Sequence, residues 1–322
     1  MAVQENKKSV YDVISERFMA QLREGVIPWE KPWLSISGER TGGWAHQTGN
    51  SYSLLNQMML PEEGEYITYR QIQSEGGRLK KGAKGYPICF WKNYQTTVRN
   101  PETNVEEEKD IPCLRYYTVF RVEDCEGITP NFAPDTSKLD GLKEPQRCKL
   151  AEEVIKTYLA ESGVKFQSKA QDRAFYRPFT DTVTVPLKKQ FKSKAEYYST
   201  VFHELVHSTG HHDRLNRLGT DTQAARGERY SLEELVAEIG AAAILYKLGI
   251  ETKKSIRNSN AYLQSWLTAL QNDNKMIVKA AGRAQKAVRY IIEGPEGLTP
   301  HGDWKPMKPV VIDDDVKAML PV

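Results

Sequence analysis

The chain has 322 residues, of which 39% are apolar and 27% charged, and a formal net charge of +3. That balance excludes a disordered polar chain and leaves room for two domains with cores of ordinary size. No run of eighteen apolar residues and no apolar stretch in the opening MAVQENKKSVYDVISERF argue against a transmembrane helix or a secretory signal, and Cys89, Cys113, Cys125 and Cys148 form no CxxC pair, so a cytoplasmic protein with reduced thiols is expected.

In chain order, Val10, Val13, Ile14, Phe18 and Leu22 recur near helical spacing and predict an amphipathic helix over 9–24, ended by Gly25 and Pro28. Residues 25–50 have no period and predict a long ordered loop. Residues 52–60 predict a helix before Pro61, and 67–75 another, stopped by Gly76 and Gly77. Residues 86–94 (YPICFWKNY) and 114–122 (LRYYTVFRV) read as strands, and the stretch between them, with EEEKD at 106–110, as a solvated connection. Residues 126–143 are rich in Gly, Pro, Ser and Thr. The expected division is therefore 1–130, a linker over 131–145, and 146–322. Beyond it, helices are predicted over 149–162, 194–210, 231–248 (capped by Ser231), 259–272 and 275–293. Strand-like pieces at 174–176 and 182–185 form a hairpin or an edge strand, and a Pro-rich tail follows Gly294.

Charge is unevenly spread. Residues 1–140 carry 17 Lys+Arg against 20 Asp+Glu, a net −3, and the remainder carries +6. The N-terminal part is not generally basic, but Arg78, Lys80, Lys81, Lys84, Lys92 and Arg99 follow one another with no acid between them, a local anion-binding pattern.

The sequence His203-Glu204-Leu205-Val206-His207 is an HExxH motif within a predicted helix. Residues four apart share a helix face, so both imidazoles can reach one metal, while Glu204 is displaced by about 100° toward the open coordination position. A divalent ion acidifies the water there and Glu204 can take its proton. Two third ligands are open. Asp213 fits a metzincin-like spacing, His203-Glu204-xx-His207-xx-Gly210-xx-Asp213. Alternatively, Glu234 and Glu238 stand four apart on an otherwise apolar helix, where two carboxylates are costly without a cationic partner. This second pattern resembles the ExxA(D/E) helix of gluzincin peptidases. The resemblance implies Glu234 as metal ligand and Glu238 as the acid holding a ligand histidine; otherwise Glu238 pairs with Arg214 or Arg217.

The succession VYDVISERFMAQLREGVIPWEKPW, YITYRQIQSEGGRLKKGAKGYP, LRYYTVFRVEDCEGI, AFYRPFTDTVTVP, HELVHSTGHHDRLNR, EELVAEIGAAAILYKLGI, SWLTAL and AAGRAQKAVRYI resembles the ArdC-type antirestriction proteins of conjugative plasmids over nearly the whole chain. The resemblance implies an α+β fold in two domains. A small N-terminal α+β domain binds single-stranded DNA, and a C-terminal, mostly helical domain with a short β-sheet is a zincin-like metallopeptidase. The expected role is protection of incoming conjugative DNA from host restriction. One departure is the acidic Asp213, where the family has a small or polar residue, and it keeps the metzincin-like ligand open.

For the DNA half, 78–94 combines cations with flat rings, as single strands require. The candidate contacts are Arg78, Lys80, Lys81, Lys84, Trp91, Tyr94, Trp44 and Tyr52. The expected cofactor is one zinc, or another divalent ion such as manganese, per monomeric chain. A host protein, of the restriction system, is the expected peptidase substrate, with Glu204 as general base and Tyr176, His211 or Arg214 as oxyanion donor. A strand near 182–185 would pair with it. The alternative is a DNA-coating protein whose zincin half needs no peptidase activity.

Overall fold

The computed structural model describes residues 8–30, 42–99, 104–134, 142–218, 228–250 and 260–295. Helix α1 (Val10–Arg23) starts at Ser9, whose hydroxyl accepts from the Asp12 N–H while the Asp12 carboxylate accepts from the Ser9 N–H. It buries Ile14, Phe18 and Leu22, one stripe at i, i+4 and i+8. Strand β1 (Gly43–Ala45), helix α2 (Leu54–Met59), strand β2 (Gly64–Thr68) and helix α3 (Tyr69–Ser74) follow. The expected helix over 67–75 begins later, because Ile67 and Thr68 belong to β2 and Thr68 caps α3. Its end is as expected: Gly76 takes φ +76°, and a Cβ on Gly77 would stand 2.4 Å from Ile128.

After β3 (Arg78–Leu79) come two long strands, β4 (Tyr86–Arg99) and β5 (Glu106–Arg121), and then β6 (Cys125–Glu126). β4 and β5 pair antiparallel from Tyr86↔Val119 to Arg99↔Glu106. The stretch expected as a solvated connection is thus mostly ladder. Its residues alternate between two exposed faces, so no apolar period announces it. The sheet order is β1-β2-β5-β4, with β1 and β2 parallel, and β3 pairs with β6 apart from it.

The C-terminal half opens with α4 (Glu144–Ser162), closed by Gly163 in the left-handed region. It continues through β7 (Lys165–Lys169), β8 (Phe175–Arg177) and β9 (Thr182–Pro186) to α5 (Lys194–Ser208), α6 (Glu228–Lys247), α7 (Asn260–Asn272) and α8 (Met276–Glu293). The strand order is β7-β9-β8, so β9, buried at all five positions, is central and β8 is an edge. Helix α6 begins before the expected Ser231, whose side chain lies outside the described residues, as do 135–141 of the expected linker and the tail from 296. No helix among the described residues is long and apolar enough to cross a membrane.

The main hydrophobic core is not confined to one half. Ile14, Phe18, Leu22, Trp29, Leu54 and Met58 share one cluster with Val201, Phe202, Leu235, Ala284 and Val288. Trp29, fully buried in the 3₁₀ turn Pro28–Glu30, stands edge-on to Trp266 of α7 with centroids 5.9 Å apart. Removing a fully buried indole leaves a cavity its neighbours cannot fill. We therefore expect Trp29→Ala to lower stability by about 3–5 kcal/mol in chemical denaturation. A loss under about 1 kcal/mol would show that this residue does not tie the N-terminal segment to the helices.

Candidate metal centre

Helix α5 places His203 and His207 one turn apart, with their Nε2 atoms 3.1 Å from each other. Helix α6 runs beside α5 and presents Glu234 to both: Oε2 lies 3.4 Å from His203 Nε2 and Oε1 3.5 Å from His207 Nε2. The close approach has a local cause. A Cβ on Gly240 of α6 would stand 2.8 Å from Val206 of α5, so glycine lets the two helices meet. Three ligand atoms around an ion about 2.0–2.1 Å from each sit roughly 3.3–3.4 Å apart in tetrahedral geometry. The donor set therefore fits a divalent ion, with two imidazoles and a carboxylate converging on one point.

Each histidine is backed by its own acid. His203 Nδ1 lies 3.8 Å from Glu238 Oε1, beyond hydrogen-bond length, and is a buried nitrogen with no partner closer. His207 Nδ1 lies 3.6 Å from Glu233 Oε1. Glu233 is gripped by Arg217 through Nη2 at 2.7 Å and Nε at 3.2 Å, and Arg217 also donates to the Val206 carbonyl and the Thr209 hydroxyl, each at 2.8 Å. Burial acts to raise the Glu233 pKa, but His207 and Arg217 outweigh it and hold the carboxyl below its ordinary range. The ion pair with Arg217 considered for Glu238 is thus made by Glu233, which the sequence pattern did not single out.

Glu204 is buried beside the histidines. Burial pushes its pKa up to about 7; His203 and the N–H of Tyr176 pull it down, and Glu234 pushes it up further. Tyr176 lies in the edge strand β8, so that edge runs past the carboxylate. Asp213 is not in this group: it is exposed, with its carboxylate 3.5 Å from His211 Nδ1 and 3.1 Å from His212 Nε2. The turn after α5 carries it away from His203 and His207. Arg214 and the Tyr176 hydroxyl both donate to Asp181, and Arg214 also donates to the Ser208 carbonyl, which fastens the β8–β9 turn to the end of α5. Two of the three expected oxyanion donors therefore serve that junction.

The expected DNA contacts do not form one surface. Arg78 pairs with Glu126 at 2.6 Å and Lys80 donates to the Glu123 carbonyl, while Lys81 and Lys84 are exposed in the turn before β4. Trp91 and Tyr94, both exposed, occupy opposite faces of the β4–β5 ribbon. Trp44 is a correction: it is buried in β1, with its indole N–H donated to Glu65 at 3.1 Å. Tyr52 is partly buried, edge-on to Tyr66 at 6.4 Å. Glu65 also accepts from the Asn131 and Phe132 N–H groups and contacts His46 Nδ1, whose Nε2 faces Glu75 at 3.1 Å. Sequence reasoning missed this buried cluster, because its members are scattered between positions 46 and 132.

Comparison with known proteins assigns both halves. A family model described as the N-terminal domain of anti-restriction factor ArdC matches residues 8–120, and one described as zincin-like metallopeptidase matches residues 153–283. A DNA primase TraC of Escherichia coli is 32% identical over 305 residues, 89% of this chain but 27% of that protein. The chain thus spans about a quarter of that relative's length. An uncharacterized protein of Sinorhizobium fredii is 27% identical over 88% of this chain and 91% of its own. Crystal structures of the antirestriction protein ArdC from the R388 plasmid, one metal-free and one Mn(II)-bound, match with TM-scores of 0.64 and 0.63 at 30% and 28% identity, each covering 91% of this chain and 100% of that one. With one such structure 30% identical and wholly covered, and with both family models in place, the chain belongs to the ArdC antirestriction family.

Proposed function

We propose that this protein works in the cytoplasm on DNA entering by conjugation, holding the single strand with its N-terminal half and cleaving a host protein with a divalent-metal peptidase site in its C-terminal half. The observation that carries the peptidase reading is the convergence of His203, His207 and Glu234 with Glu204 buried beside them. The ligand set is His203, His207 and Glu234, with Asp213 outside it. A divalent ion bound there supplies Lewis acidity to a water and to the scissile carbonyl. Two imidazoles and one carboxylate suit zinc or manganese, and the related R388 protein has been crystallised with Mn(II).

The chain's own residues do the rest. Glu204 is the general base, and burial gives its carboxylate a proton affinity near neutrality. Glu238 and Glu233 position His203 and His207 by facing their Nδ1 atoms, and Arg217 keeps Glu233 ionised and in place. Because β9 is flanked on both sides, an extended peptide can pair only at an edge, and of the two edges β8 is the one whose Tyr176 N–H reaches toward Glu204. The DNA-coating alternative is favoured by the long exposed ribbon and separates from the peptidase reading in the Glu204 experiment below.

His203→Ala should abolish bound metal in elemental analysis while Asp213→Ala keeps it; metal lost from Asp213→Ala and kept in Glu234→Ala would move the third ligand. For Arg217→Ala we expect about 10–100-fold weaker metal affinity in chelator competition. Unchanged affinity would remove Glu233 and Arg217 from the positioning role. In a conjugation assay into a restricting recipient, Glu204→Ala should reduce protection to the level of a plasmid lacking the gene, with metal content and single-strand binding retained. Full protection by Glu204→Ala would refute the peptidase reading in favour of DNA coating.

A further inference from the structure

The β4–β5 ribbon leaves the body of the molecule at about Phe90 and Tyr117. Ile88 and Val119 on one face, and Cys89 and, one step past Phe90 opposite Trp91, Leu114 on the other, are its last residues buried in cores. Beyond it the ladder continues from Phe90↔Arg115 to Arg99↔Glu106 with nearly every residue exposed. Nine residue steps make an arm of roughly 30 Å. A two-stranded ribbon standing in water is marginally stable on its own, and its rings, though they touch one another and neighbouring cations, remain more than a third exposed.

The two faces differ. Register and alternation put Phe90, Lys92, Tyr94, Arg115 and Tyr117 on one side. Phe90, Tyr94 and Tyr117 are 40%, 37% and 38% exposed. The Phe90 and Tyr117 rings touch at 5.7 Å, while Lys92 Nζ and Arg115 Cζ lie 5.1 Å and 5.4 Å from the Tyr94 ring centre. Among the described residues, neither cation has a carboxylate partner. Lys109 also takes this side, opposite Thr96. The other side carries Trp91 and Tyr116, but its distal half sets Glu106, Glu108 and Asp110 against Arg99 alone. Position 107 alone of the acidic run shares the register of the first side.

We infer that the Phe90–Tyr94–Tyr117 side of the ribbon, with Lys92 and Arg115, is the platform on which this protein stacks the bases of single-stranded nucleic acid, and that the Trp91–Tyr116 side takes no part. The inference rests on the single-strand binding proposed above and names its surface. Flat rings offer stacking, which tolerates any sequence because every base has a π-face, and the cations beside them reach the phosphates between bases. A duplex hides its base faces from such a platform. The three acids of the opposite side repel a phosphate backbone, so one strand lies on one side.

The test uses the full chain and a fluorescent oligothymidylate in anisotropy titrations at several salt concentrations. The double substitution F90A/Y94A should weaken binding about tenfold or more, whereas W91A/Y116A should change it by less than about twofold. The pair K92A/R115A should reduce the slope of log affinity against log salt by roughly 1.4, the loss of two phosphate contacts on a single strand. All six positions are exposed on the arm, and an unchanged melting temperature verifies folding of each variant. Wild-type affinity in F90A/Y94A with an unchanged salt slope in K92A/R115A would overturn the platform while leaving single-strand binding intact, as would a larger loss in W91A/Y116A. A wild-type protein that binds no oligothymidylate at low salt would overturn the single-strand reading itself and assign the ribbon to a protein partner.

Discussion

Everything at the candidate centre depends on how closely α5 and α6 approach at Val206 and Gly240. An α-helix carrying Glu233, Glu234 and Glu238 on an otherwise apolar segment would normally reject burial, since each unpaired carboxylate loses its hydration. Here the helix gains Leu235, Val236, Ile239, Ala243 and Ile244 as fully buried apolar contacts, and small residues at 240–243 bring its axis near α5. The same geometry drives the acids into the imidazoles. Packing and chemistry are therefore one constraint: the apolar stripe cannot be buried without assembling the charged cluster, and the cluster needs a cation to be stable.

The HExxH spacing, the Glu234–Glu238 spacing and all the long helices are legible in the sequence, because each is a local pattern with a period of 3.6 residues. What escapes reading is non-local or carries no apolar period. β1 is only three residues long and pairs with β2 across an intervening helix. The distal half of the β4–β5 ribbon has polar residues on both sides, so alternation carries no signal. Glu233 becomes meaningful only when Arg217, sixteen residues earlier, folds back beneath His207. Trp44 reads as exposed aromatic surface in a Gly-rich stretch and is instead buried against Glu65. Except in the ribbon, whose strands are neighbours in sequence, the deciding contact lies elsewhere along the chain, where propensity and spacing are blind.

The two ends of the molecule use aromatic residues in opposite ways. Trp29 and Trp266 are spent on cohesion, edge to face within the core, and Tyr158 and Tyr290 meet similarly at 6.3 Å. On the ribbon the rings face water in company with cations. Hydrophobic burial alone would have drawn them inward, and the ladder hydrogen bonds hold them out. The strand geometry thus keeps a costly surface available, while the helical bundle beneath it supplies the stability that makes the cost tolerable.

Part of the surface that covers helix α1 is made long after it. The Ser15 hydroxyl donates to the Leu270 carbonyl, and Asn274 reaches back to Asp12, contacts that span 255 and 262 positions. At roughly 5–20 residues per second, Phe18 and Leu22 wait on the order of ten seconds or more for α7 and α8 to appear. During that interval only earlier segments of the same core, such as Trp29, Leu54 and Met58, are at hand to cover the amphipathic stripe of α1. The core closes around α1 only after α7 and α8 have been made, and contacts of such sequence separation form slowly. Completion of this core is thereby set by its longest-range contacts, and the first helix is the element whose apolar stripe stays incompletely covered for longest.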